Sequence, residues 1–324
     1  MTRAYCRGLT LVELMIGLAL SLLVLSAAVS VFIASKESYR LEEDISQMQE
    51  NFRFIADRFT KDFTMVGYTG CATPYTDNSP TVDAFVSGAG NLDVIQGVEG
   101  GAGSDAITVT YALPESGVSV VESGPTRASP LYVSRNLPLY QALSDNFTSG
   151  SPVPITLLVG NCRRANIFLV TSVADVTAPS GALVGSIEHD TVTSIGGVTN
   201  TSTELSDIYG KLGTQTSSVF RTQSVTYEID TVGGVTGLYE TRSGNSKTLV
   251  LDNVTDMEIL YGIDSITAED GNADTYRDWS AALKLSDITS LKITLTLVVA
   301  QQNGVDVTRE YSFTIKMRDM GLDV

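Results

Sequence analysis

Between Leu9 and Ala34 the chain runs for 26 residues with a single ionisable side chain, Glu13. A helix needs about 20 apolar residues to cross a bilayer core, so this run is long enough to span one. A carboxylate inside such a span costs about 2.5–3.5 kcal/mol on insertion scales and marks a functional position by default. The competing reading of Glu13 is an incidental polar residue near the membrane interface. Arg3 and Arg7 precede the run, and the positive-inside rule then keeps the N-terminus cytoplasmic and sends the rest of the chain outward.

The helical pattern outlasts the apolar run. Past Lys36, Leu41, Ile45, Met48, Phe52, Ile55, Phe59 and Phe63 form one stripe, and Glu42, Glu43, Glu50, Arg53, Asp57, Lys61 and Asp62 fill the other faces. No proline occurs before Pro74, and no glycine lies between Gly17 and Gly67. The pattern predicts one helix from Gly8 to about Val66, with residues 9–34 in lipid and residues 35–66 amphipathic. Gly67 and Gly70 then end it, as glycines at a C-cap do. Such continuity argues against a secretory signal peptide, whose apolar core would be followed by a cleavage site and a break in the pattern.

Residues 67–324 read as a β-rich head. Residues 75–105 are loop-like, and alternating runs follow at 106–111, 117–121, 155–159 and 167–173. Residues 174–218 are rich in Ser, Thr, Gly and Asp, and read as a weakly structured, mobile region. Runs at 218–230, 237–241, 248–251, 254–263, 291–300 and 305–317 follow, the last two around Asn303-Gly304, a strong hairpin signal. The expected fold class is α+β, with the amphipathic half of the helix packed on one face of antiparallel sheets. With 37 acidic against 21 basic residues and no basic run, the surface disfavours nucleic acid.

Gly8 followed by Leu9-Thr10-Leu11-Val12-Glu13 resembles the class III signal of type IV pilins and pseudopilins. The family pattern is a short basic leader, a glycine, an apolar residue and glutamate at the fifth mature position. Leu9 departs from the phenylalanine most common at the first mature position. The resemblance implies a leader of residues 1–8, cleavage after Gly8 by a prepilin peptidase and N-methylation of Leu9. It also implies a charge pair between Glu13 and an N-terminal amine, which would set subunit register. A helix-start glycine without processing is the alternative for Gly8. The segment from Asn253 to Asp264, the acidic loop, Tyr276, Trp279 and the final hairpin are similar to the C-terminal region of PilW-type minor pilins, as are Gly67-Tyr68 and Gly70-Cys71.

On this resemblance Cys6 leaves with the leader. Cys71 and Cys162 then form an even pair in an oxidising compartment, which favours a disulfide over two free buried thiols. The implied partners are other minor pilins, the major pilin, the prepilin peptidase, the inner-membrane assembly platform and membrane lipid. The implied work is pilus assembly at the filament tip, supporting twitching motility and adhesion. A minor pseudopilin of a type II secretion system and a membrane-anchored periplasmic binding or adhesin protein are the alternatives.

Other constellations carry less. The loop from Asp264 to Asp274 collects oxygen ligands, Asp264, Glu269, Asp270, Asn272 and Asp274, but its spacing departs from the EF-hand pattern. It reads as a solvated acidic turn before a calcium site. His189, the single histidine, reads as a surface residue, and no residue set points to catalysis or to a cofactor.

Overall fold

A computed structural model describes residues 11–70, 75–76, 79–80, 82–84, 86–87, 94–101, 103–210, 216–243, 245–264, 271–280, 283, 287–302 and 305–317. The chain divides into two compact units, Met1–Arg53 with Val299–Thr308, and Phe54–Val298 with Arg309–Val324.

The first unit contains most of α1 (Leu11–Thr64), the predicted long helix. Its apolar segment is exposed, and its first turn carries Glu13. The hydroxyls of Ser21, Ser26, Ser30 and Ser38 donate to carbonyls three or four residues back, so they are satisfied within the helix. Leu41 on the predicted stripe is exposed, and Ile45, Met48 and Phe52 are only half-buried.

The second unit holds the end of α1 and the β-rich fold. The strands used below are β1 (Ile95–Val98), β2 (Ala106–Ala112), β3 (Val118–Glu122), β4 (Leu131–Val133), β5 (Thr156–Gly160), β6 (Ala165–Leu169), β7 (Ser172–Thr177) and β8 (Leu183–Glu188). Further on come β9 (Ser218–Val232), β10 (Val235–Arg242), β11 (Thr248–Asp252), β12 (Val254–Ile263), β13 (Thr275–Arg277), β14 (Ile288–Gln302) and β15 (Val305–Lys316). β14 and β15 cross the division between the units.

The long strand β9 is the hinge of the larger sheet. Its first residues pair with β5 and β3, in the order β7-β8-β4-β3-β9-β5-β6. Its later residues pair with β2 on one side and β10 on the other, and these lead to β1 and β11. The ladders are antiparallel, except that Val82–Ala84 runs parallel to Ala165–Ile167. A smaller sheet has the order β13-β12-β14-β15.

Alternation on β2, β9 and β10 turns Ile107, Val109, Tyr111, Val225, Tyr227, Leu238 and Glu240 inward, in line with the period of two in a strand. The end of α1 covers this face. Ile55, Phe59 and Phe63 are fully buried, and Phe59 meets Tyr227 edge-on with ring centroids 4.4 Å apart. Gly67, at φ 74°, and Gly70, at φ 87°, turn the chain away after the helix, in the left-handed conformation glycine adopts at little cost.

Three expectations need correction. Residues 95–98, read as loop, form β1 against β2 because Ile95 faces the buried Val109. Within residues 174–218, β8 is an interior strand with Val184 and Ile187 buried, and Leu205 and Tyr209 enter the core. A second helix, α2 (Pro138–Thr148), went unpredicted; it opens on Pro138 and buries Leu139, Tyr140 and Leu143. Asn303-Gly304 lies outside the described residues.

β13 pairs with β12 only at Tyr261–Ile263, and side chains close the edge of β12 before that point. The Met257 amide donates to Ser104 Oγ at 2.6 Å, and the Ile259 amide donates to Asp105 Oδ2 at 2.8 Å. The Asp105 amide in turn donates to the Met257 carbonyl.

Candidate assembly site and helix junction

Of the residues singled out in the sequence, Glu13 sits in the first turn of α1 and is exposed. Gly8, Leu9, Cys71, Glu269 and Asp270 lie outside the described residues. Asp264 is buried; its Oδ2 accepts the Gly271 amide at 2.8 Å, and its own amide donates to the Asp287 carbonyl. Asn272 and Asp274 are exposed. Cys162 occupies the turn from β5 to β6, which Asn161 Oδ1 tightens by accepting the amides of Arg163 and Arg164. His189 is buried, against expectation: it packs on Phe168 and its Nε2 contacts the Ser129 carbonyl at 3.1 Å. Burial holds its pKa below the ordinary histidine value.

Pattern reading missed the most organised polar group in the second unit. Asp62, placed by periodicity on a solvent face of α1, is only 3% exposed. Its Oδ1 accepts the Tyr111 hydroxyl at 2.7 Å, and its Oδ2 accepts the Tyr227 hydroxyl at 2.5 Å. Arg242 donates to both oxygens, Nη1 at 3.3 Å and Nη2 at 2.6 Å. Arg242 also donates from Nε to Glu240 Oε1 at 3.2 Å. Glu240, likewise buried, accepts Arg58 Nε at 2.8 Å and pairs a second time with Arg58 Nη2.

The result is a chain of four charges, Arg58–Glu240–Arg242–Asp62. Helix α1 supplies Arg58 and Asp62, and β10 supplies Glu240 and Arg242. Burial alone would lower the pKa of Arg242, but its bonds to Asp62 and Glu240 raise it above the ordinary arginine value. Burial and the bond to Asp62 push the Tyr227 hydroxyl well above the usual tyrosine range. A cavity of about 570 Å³ opens beside these charges, with Lys61, Met65, Leu113, Glu115 and Gln223 in its walls.

A second acidic group joins Glu99, Asp105 and Glu258, whose carboxylate oxygens lie within 4.8 Å of one another. Desolvation, with repulsion from Asp105, raises both glutamate pKa values. Asp105 itself is committed to the amides of Gly100 and Ile259.

Residues 3–29 match the family model described as the prokaryotic N-terminal methylation motif. The match supports a type IV pilin-like or pseudopilin chain. No curated protein and no solved structure matches it. For a pilin-like chain the motif implies a prepilin peptidase and other pilins as partners in general, and a structural rather than catalytic role. The helix behind it is long and apolar enough to cross a membrane, with a mean hydropathy of 2.6 in its most apolar window, which fits membrane anchoring.

Proposed function

We propose that this pilin-like chain is a PilW-type minor pilin that primes or caps pilus assembly at the filament tip, supporting twitching motility and adhesion. The observation that carries the reading is the methylation motif at residues 3–29, followed at once by an apolar helix with one carboxylate in its first turn. In this reading a peptidase cleaves after Gly8 and Leu9 is methylated. The α-helix stands in the inner membrane, and the β-rich part is displayed in the periplasm. Glu13 pairs with the N-terminal amine of its own or an adjacent subunit, since a carboxylate at that depth favours a cationic partner. The remaining apolar helix surface meets the helices of other pilins.

Cys71 is proposed as the partner of Cys162. Supporting this, the Cys162 sulfur is held in a disulfide, and the Thr69 carbonyl passes 3.3 Å from where a Cβ on Gly160 would stand. Two residues beyond each of these positions lie the two cysteines.

The test is a count of surface filaments in a strain lacking the protein, beside the same strain expressing Glu13→Ala. Loss of filaments in the deletion, unrescued by the variant, is the expected result. Normal filaments with blocked protein secretion would transfer the chain to a secretion pseudopilus. Intact-mass measurement checks processing independently, since only the pilin reading removes Met1–Gly8 and adds one methyl group.

A further inference from the structure

We infer that the Arg58–Glu240–Arg242–Asp62 charge chain sets the axial register of the end of α1 on the sheet, a task its apolar packing cannot perform. The fully buried apolar residues of this segment are Ile55, Phe59 and Phe63, spaced four apart. A slide of one turn puts Ile55 or Phe63 where Phe59 lies and leaves a large apolar group over Tyr227. Non-directional burial therefore discriminates poorly between neighbouring registers. The connection is held at its far end, where the Ala112 amide donates to the Tyr68 carbonyl at 3.0 Å, but that bond lies beyond the last turn and does not itself choose between the apolar side chains of the helix.

The charges remove this degeneracy. Arg58 and Asp62 are four residues apart on a helix, a rise of about 6 Å. Glu240 and Arg242 are two apart on a strand, a rise of about 6.6 Å. The spacings match, and each element offers one cation and one anion in crossed order. A slide in one direction brings Asp62 against Glu240, and a slide in the other brings Arg58 against Arg242. Like charges would then meet where both acids are buried, at an electrostatic cost steepened by low solvation. Tyr111 and Tyr227 sharpen the choice, because their hydroxyls find a carboxylate in one register only. A polar pair at the seam of a coiled coil fixes register in the same manner.

Spin labels at Lys61→Cys and Glu115→Cys, both in the cavity wall, read the register in the full chain carrying Cys6→Ser, in detergent and without reductant. An apolar set, Arg58→Met, Asp62→Leu, Glu240→Met and Arg242→Met with Tyr111→Phe and Tyr227→Phe, removes the charge chain and leaves no orphaned hydroxyl. It is expected to fold, by circular dichroism, and to give a label distance that splits or shifts by about 5 Å, one turn. Reversing the helix pair, Arg58→Glu with Asp62→Arg, is expected to shift it too, and adding Glu240→Arg with Arg242→Glu to restore it. A folded apolar set with the single native distance would overturn the inference. So would a folded four-site exchange that fails to restore it. Should the reversed pair not fold, the apolar set decides alone.

Discussion

Asp62 sits among the charged residues of an amphipathic helix, yet it is buried and accepts bonds from two tyrosines and an arginine. Asp62→Asn leaves Arg242 without its main counter-charge and should cost about 3–5 kcal/mol, the range for breaking a buried pair. Asp57→Asn, at an exposed position of the preceding turn, should stay within about 0.5 kcal/mol. Urea unfolding of both variants checks the contrast. Nothing near Asp62 in the chain announces its burial, because its partners lie 49, 165 and 180 residues away. His189 was hidden for the same reason: its polar neighbours in sequence suggest surface, while Phe168 on β6 and Ser129 in the bend before β4 bury it. Its pKa is lowered in the fold, so the unfolded chain binds the extra proton first as pH falls. The stability it contributes is full above about 6.5 and is lost as pH drops from there towards the folded value. Glu188 is shifted upward by burial and by Asp190, and therefore acts in the opposite sense. The melting temperature between pH 7.5 and 5 should fall less steeply for His189→Gln than for the unmodified chain.

Among elements, α1 was legible because its period and its lack of proline agree over 54 residues. The paired strands β9 and β10 were legible because alternating runs flank Gly233-Gly234, both with positive φ. The helix α2 was not, since three buried side chains in 11 residues make too short a stripe to stand out. The stripe on α1 also reads as uniform, although its buried part begins at Ile55. Phe59→Ala should therefore cost about 3–5 kcal/mol, the usual loss for a buried phenylalanine. Leu41→Ala should change the stability of the β-rich unit by less than about 0.5 kcal/mol, and calorimetry on both variants separates the two cases. The four helix serines carry a further message: hydroxyls bonded to their own helix place no demand on a neighbour.

At the scale of the molecule, the methylation motif covers residues 3–29, and the remaining sequence has to be understood from its own physics. A Cys71–Cys162 bond would close a loop of about 90 residues and stabilise by about 2–4 kcal/mol, within the usual range. Dithiothreitol should accordingly lower the melting temperature of the unmodified chain and leave that of a Cys71→Ser, Cys162→Ser double variant unchanged. The closure of the β12 edge bears on behaviour in a crowd. An unpaired strand edge is an invitation to cross-β growth with further copies of the same chain. Ser104 and Asp105 occupy the amides of Met257 and Ile259, so this edge offers no vacant donors at those positions. A short acidic loop thus serves as a guard against clumping.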